Sequence, residues 1–122
     1  MYSKKTIDHF KKPKFAGEMK NADAVGEVGN IVCGDIIKVF IKVKNNIIQD
    51  ISFQTYGCIA AIASSDILCG LVKGKTLDQA LKITYKDIIK ELGDLPPIKY
   101  HCSMMGVDAL KKAIENYKKK HK

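Results

Sequence analysis

Apolar residues in this chain change their spacing once, and that change divides the fold in two. Between residues 36 and 43 they recur at every second position, with Ile37, Val39, Ile41 and Val43 alternating with Lys38, Phe40 and Lys42. Lys44-Asn45-Asn46 supplies a turn. Residues 47–55 alternate again, with Ile47, Ile51 and Phe53 on one side and Asp50, Ser52 and Gln54 on the other. A period of two around a polar turn is an antiparallel pair with one wet face. From Gly57 the spacing becomes helical. Residues 59–72 are rich in Ala, Ile and Leu with Asp66 as the lone charge, which predicts a mostly buried helix ended by Gly74.

Local signals fill in the rest. Ser3 caps a short helix running to about Lys12, with Ile7 and Phe10 facing inward and Pro13 stopping it. Residues 15–32 carry no helical period and predict extended chain with one strand near residues 22–28. Thr76-Leu77-Asp78-Gln79 has the capping-box form and opens a helix. Thr84 caps another, which ends at Gly93. Leu95-Pro96-Pro97 cannot continue a helix and predicts an exposed segment. A last helix over residues 104–119 carries Val107, Leu110, Ile114 and Tyr117 as its apolar stripe. The expectation is one α+β domain spanning residues 1–122: a small antiparallel sheet of about three strands with helices packed on one face.

At 122 residues a core forms without disulfide help. The longest apolar runs fall far short of a membrane span, and no apolar leader follows Met1-Tyr2-Ser3-Lys4-Lys5, so a cytoplasmic location is expected. The formal charge is +8. Its lysines crowd the ends (Lys4, Lys5, Lys11, Lys12, Lys14; Lys111, Lys112, Lys118, Lys119, Lys120, Lys122) on the solvent side of terminal helices. No aromatic residues interleave with them as a stacking platform for nucleic acid. A solubilising face, or a docking surface for acidic proteins, accounts for them better.

Four cysteines in a chain without an export signal point to thiols, metal ligands or reactive groups rather than disulfides. Cys33 precedes a strand, Cys58 opens a helix after a strand, and Cys102 stands just before the last helix. A helix start favours thiolate, the form that binds metals and clusters. Asp35 and His101 stand close enough in sequence to add an oxygen or nitrogen ligand, and Gly34 and Gly57 allow close backbone approach. Three thiolates with a carboxylate would make a labile site, suited to assembly and release rather than electron transfer. Cys69 lies eleven residues after Cys58 on the same helix, about 16 Å away, and is a core residue. No Cys-x-x-Cys occurs. The spacing alone leaves a shared metal site and three separate structural cysteines as alternatives.

Five motifs occur in order: Val32-Cys33-Gly34-Asp35, Thr55-Tyr56-Gly57-Cys58 with Ala60-Ala61-Ile62-Ala63-Ser64-Ser65, Lys73-Gly74-Lys75-Thr76, Leu95-Pro96-Pro97-Ile98-Lys99, and His101-Cys102-Ser103-Met104. On these the chain resembles the IscU/NifU N-terminal family of iron–sulfur cluster scaffolds over nearly its whole length. The resemblance implies a transient 2Fe-2S cluster, built from ferrous iron on Cys33, Asp35, Cys58 and Cys102, with His101 a further ligand in some metal-bound states. It implies that zinc occupies the same site at times. Sulfur would come as persulfide from a cysteine desulfurase of the IscS/NifS type, with Cys102 the acceptor. Asp35 would keep the cluster exchangeable. Leu95, Pro96, Pro97, Ile98 and Lys99 would bind an Hsp70-type chaperone working with a co-chaperone, and the cluster would pass to apo-proteins such as ferredoxin. The chain would act as a monomer or a cluster-bridged dimer, without nucleic acid or membrane.

Ile98 and Ile59 depart mildly from the family's commoner residues, and Cys69 matches no motif. The related SufU type carries an insertion before its third cysteine and usually lacks the histidine. Here 43 residues separate Cys58 from Cys102 and His101 is present, so the resemblance is to the IscU type. On this reading the chain is an assembly scaffold and carrier, not an enzyme. A zinc-bound persulfide relay is the alternative, and a structural zinc domain binding protein or nucleic acid is a third.

Overall fold

A computed structural model of the chain describes residues 4–30, 35–56, 59–93 and 100–120. The elements are α1 (Lys4–Lys11), β1 (Ala24–Asn30), β2 (Asp35–Lys44), β3 (Ile47–Tyr56), α2 (Ile59–Val72), α3 (Leu77–Leu81), α4 (Tyr85–Leu92) and α5 (Tyr100–Lys120). Among the described residues the sheet is antiparallel with order β1-β2-β3. The α+β architecture is therefore the one expected.

The hairpin forms because Asn45 and Asn46 both adopt left-handed backbone, with φ of 55° and 63°. Two such residues make the tight turn whose twist matches paired strands, and Asn tolerates that region. Along β2, Ile37, Val39, Ile41 and Val43 are buried as the alternation requires, and Phe40 on the other face is buried too. β3 departs from strict alternation. Lys42 pairs with Asp50 but Val43 pairs with Ile48, so Gln49 is an extra residue on β3. The bulge turns Ile48 inward and leaves Ile47 exposed, reversing the expected facing of Ile47.

Three further expectations are corrected. In α1 the buried residue is Thr6, while Phe10 lies on the exposed side; an eight-residue helix resting on α2 hides only a narrow stripe. α5 begins at Tyr100, so His101 and Cys102 lie within its first turn rather than before it. β1 starts at Ala24, two residues later than expected. The Ser3 cap lies outside the described residues.

The core lies between the sheet and α2 and α5, with Ile37, Val39, Ile41, Ile51 and Phe53 facing Leu68, Leu110 and Ile114. The capping box at Thr76 forms in both directions, each bond 3.1 Å, and Thr84 N–H donates to Asp87 Oδ2 at 2.9 Å. The outer edge of β3 is occupied by the segment after α1: Phe53 N–H donates to Phe15 O at 2.9 Å and Gly17 N–H to Phe53 O at 2.8 Å. At the opposite edge Asn116 Nδ2 donates to Val25 O at 2.8 Å. The lysines of α1 and α5 (Lys4, Lys5, Lys11, Lys111, Lys112, Lys118, Lys119 and Lys120) are exposed, as expected.

Candidate metal centre

One end of the sheet gathers the residues of interest. Asp35 is the first residue of β2 and pairs with Asn30, and Ile36 beside it pairs with Tyr56, the last of β3. The end of β1, the start of β2 and the end of β3 therefore lie together. α2 begins three residues beyond Tyr56.

α5 reaches the same end. Ser64 Oγ of α2 and Ser103 Oγ of α5 are hydrogen-bonded at 3.0 Å. One turn further along α5, a Cβ on Gly106 would meet Leu68 and Ser65 of α2. Residue numbers rise together on both helices, so α2 and α5 run parallel. Ser64 is five residues into α2 and Ser103 three into α5, so the two helix starts are level within about one turn. The sheet gives an independent check. Gly26 of β1 lies against Ala109 and Ala113. The four residues from Gly26 to Asn30 cover about 13 Å, the rise of about nine helical residues, which brings the Asn30 end level with about residue 102.

Two helix N-termini thus meet one sheet end. Their unpaired N–H groups and aligned dipoles make that end electropositive, which favours thiolate over thiol. Of the expected ligands, the structure brings the backbone of Asp35, His101 and Cys102 to this end. Cys33 and Cys58 lie outside the described residues, as do Leu95, Pro96, Pro97, Ile98 and Lys99. Among the described residues no group of three His, Cys, Asp or Glu side chains is placed to hold a metal ion.

Cys69 is separate. It is a fully buried free thiol in α2. Burial first, and the nearby Asp66 carboxylate second, push its pKa well above the ordinary value of 9.0. It should resist alkylation in the folded protein and react only on unfolding, which peptide mapping after iodoacetamide treatment checks. The folded state keeps this proton where the unfolded chain releases it. The stability it supports is therefore complete below about pH 9 and falls above it by at most about 1.4 kcal/mol per pH unit.

Three features escaped the sequence reading. The Ser64–Ser103 pair is fully buried between α2 and α5; two serines inside an apolar helix were its visible trace. Asp66, 1% exposed, accepts from His9 Nδ1 and from Phe15 N–H; its lone charge in α2 was the signal. Gly26 gave none, because closeness between β1 and α5 is a tertiary fact.

A small antiparallel sheet whose one end faces two parallel helix starts is the architecture of a class: the chain belongs to the NifU-like N-terminal domain family, whose model matches residues 1–122. Within it, the chain is 51% identical over 121 residues to the iron–sulfur cluster assembly scaffold protein IscU 1 of Archaeoglobus fulgidus, covering 99% of this chain and 79% of that protein. It is also 51% identical over 125 residues to the scaffold protein IscU of Buchnera aphidicola subsp. Baizongia pistaciae, covering 99% and 98%. Among solved structures it is similar to a putative iron–sulfur cluster assembly scaffold protein for the SUF system from Fervidobacterium islandicum AW-1. That match has a TM-score of 0.81 at 26% identity, over 93% of this chain and 96% of that one.

Proposed function

We propose that this chain is an iron–sulfur cluster assembly scaffold that builds a 2Fe-2S cluster on Cys33, Asp35, Cys58 and Cys102 and releases it to apo-proteins. The observation that carries the reading is the convergence of the β2 start, the β3 end and the starts of α2 and α5, in a chain about half identical to proteins named for this role. Cys33 stands two residues before Asp35 and Cys58 two after Tyr56, so chain length alone keeps each within about 7 Å of that end. Iron and sulfide are cargo here, so the protein needs no substrate turnover of its own. Cys102 in the first turn of α5 has the setting of a nucleophilic thiolate and is the persulfide acceptor, fed by a cysteine desulfurase. His101 beside it is an alternative nitrogen ligand when zinc occupies the site. Leu95-Pro96-Pro97-Ile98-Lys99 is the chaperone site of this reading, because two prolines in sequence restrict the unbound chain and lower the entropic cost of an Hsp70-type groove taking it.

No helix among the described residues is long and apolar enough to cross a membrane, which fits work in the cytoplasm. The exposed lysines give acidic partners such as apo-ferredoxin a complementary surface.

The test is anaerobic reconstitution with ferrous iron, cysteine, a desulfurase and dithiothreitol, the thiol supplying electrons that reduce persulfide sulfur to sulfide, followed by transfer to apo-ferredoxin. Visible charge-transfer bands should grow, then fade as the ferredoxin gains its cluster, and Cys33→Ser, Cys58→Ser and Cys102→Ser should each remove the bands. Persulfide on Cys102 with zinc retained and no bands in the parent protein would replace the scaffold by a sulfur relay. Asp35→Ala should lengthen the cluster's half-life several-fold, because a weak oxygen ligand is the site's point of release; a shortened half-life would count against that role.

A further inference from the structure

Two serine hydroxyls at the α2–α5 interface have no part in the proposed chemistry, yet both are fully buried and bonded to each other at 3.0 Å. One turn further along, Leu68 and Gly106 meet, and beside them Ser65 is a third buried hydroxyl, without a hydrogen-bond partner among the described residues. Burying two hydroxyls there gains little net stability over a matched apolar pair. What the bonded pair does supply is register, since sliding one helix past the other parts the two hydroxyls. Sliding either helix by one residue moves it about 1.5 Å and breaks the bond.

The register is set at a telling place. Ser103 directly follows Cys102, and Ser64 lies one and a half turns into the helix that Cys58 precedes. We infer that Ser64 and Ser103 are a positioning pair, holding level the starts of α2 and α5, beside which the scaffold reading places Cys58 and Cys102 as ligands of incoming iron. The inference rests on the scaffold reading for the identity of the ligand. It needs only the hydrogen bond for the register. Ligand sets demand placement within about 0.5 Å, finer than the slip the pair forbids. Groups that orient ligands without touching the metal typically change its affinity by about 10- to 100-fold when removed.

The experiment compares the parent protein with Ser64→Ala, Ser103→Ala and the double variant, each with its Tm. Two readouts are taken: cobalt(II) affinity from thiolate charge-transfer absorption, and the metal-free rate at which dibromobimane bridges Cys58 to Cys102, mapped by mass spectrometry. Each single variant leaves one buried hydroxyl unpaired and should lose both Tm and affinity. The double variant should regain Tm because neither member of the pair is left unpaired, while its cobalt affinity stays about 10-fold low and its bridging stays slow. Recovery of affinity and bridging together with Tm would show a purely structural pair and overturn the inference, as would three variants indistinguishable from the parent. A parent that takes no cobalt but whose bridging depends on the serines would sink the scaffold reading and leave the positioning role standing.

Discussion

Gly26→Ala should lower the melting temperature by about 10 °C, a loss of about 3 kcal/mol. The glycine lies in β1 against α5. A Cβ built there would stand 2.0 Å from Ala109 O and 2.4 Å from Ala113 N, both backbone atoms. A flexible side chain can rotate out of the way of a methyl group; a helix backbone cannot. The helix would have to move off the strand by more than 1 Å, loosening the row of Ala109, Leu110 and Ala113 that packs there. The cost is steric alone, since Gly26 shows no positive φ. The same displacement shifts the start of α5, so cluster yield should fall even below the new melting temperature. Calorimetry decides the first point, and a shift under about 2 °C would mean that the strand and helix are not in close contact.

Asp66→Ala should cost a similar amount, about 3 kcal/mol, by a different route. The carboxylate is buried and accepts from His9 Nδ1 and Phe15 N–H, so it ties the first fifteen residues to α2. Without it the Phe15 amide loses its acceptor, an unpaired donor that costs about 1–3 kcal/mol, and the His9 ring, 29% exposed, loses a partner that water replaces only in part. The damage should be local first. The Gly17 amide, held by Phe53 O, should exchange with solvent faster by at least tenfold, while amides in the middle of β2 change only with global stability. Equal exchange at Gly17 in parent and variant would show that the clamp does not hold this segment.

The periodicity of residues 36–55 gave the hairpin, its register face on β2 and the apolar helix after it, because period and burial are local properties. The bulge at Gln49 was not legible: one extra residue leaves the composition of a strand unchanged and shows only in which partner each residue finds. The start of α5 was placed four residues late because Tyr100-His101-Cys102-Ser103 has no apolar period, and helical propensity alone does not mark a first turn. The candidate ligand residues were visible by type and by motif. The meeting of the sheet end with the starts of α2 and α5 was not, because it depends on two helices running parallel, in contact at Ser64 and Ser103 across 38 intervening positions. His9 and Asp66 meet across a separation of 57 residues, and Asp66 could be noticed only as an oddity in its helix.

Both margins of the sheet are furnished, one by the Phe15–Gly17 segment along β3 and the other by Asn116 on the Val25 carbonyl. Bare strand margins recruit other chains by backbone pairing, and incompletely folded polypeptides are the readiest recruits. Domains that await a metal or cluster are often incompletely folded without it, so a protein that delivers one meets such chains. Occupied margins let it approach such clients through the end where α2 and α5 begin, without seeding a shared sheet that neither molecule could leave.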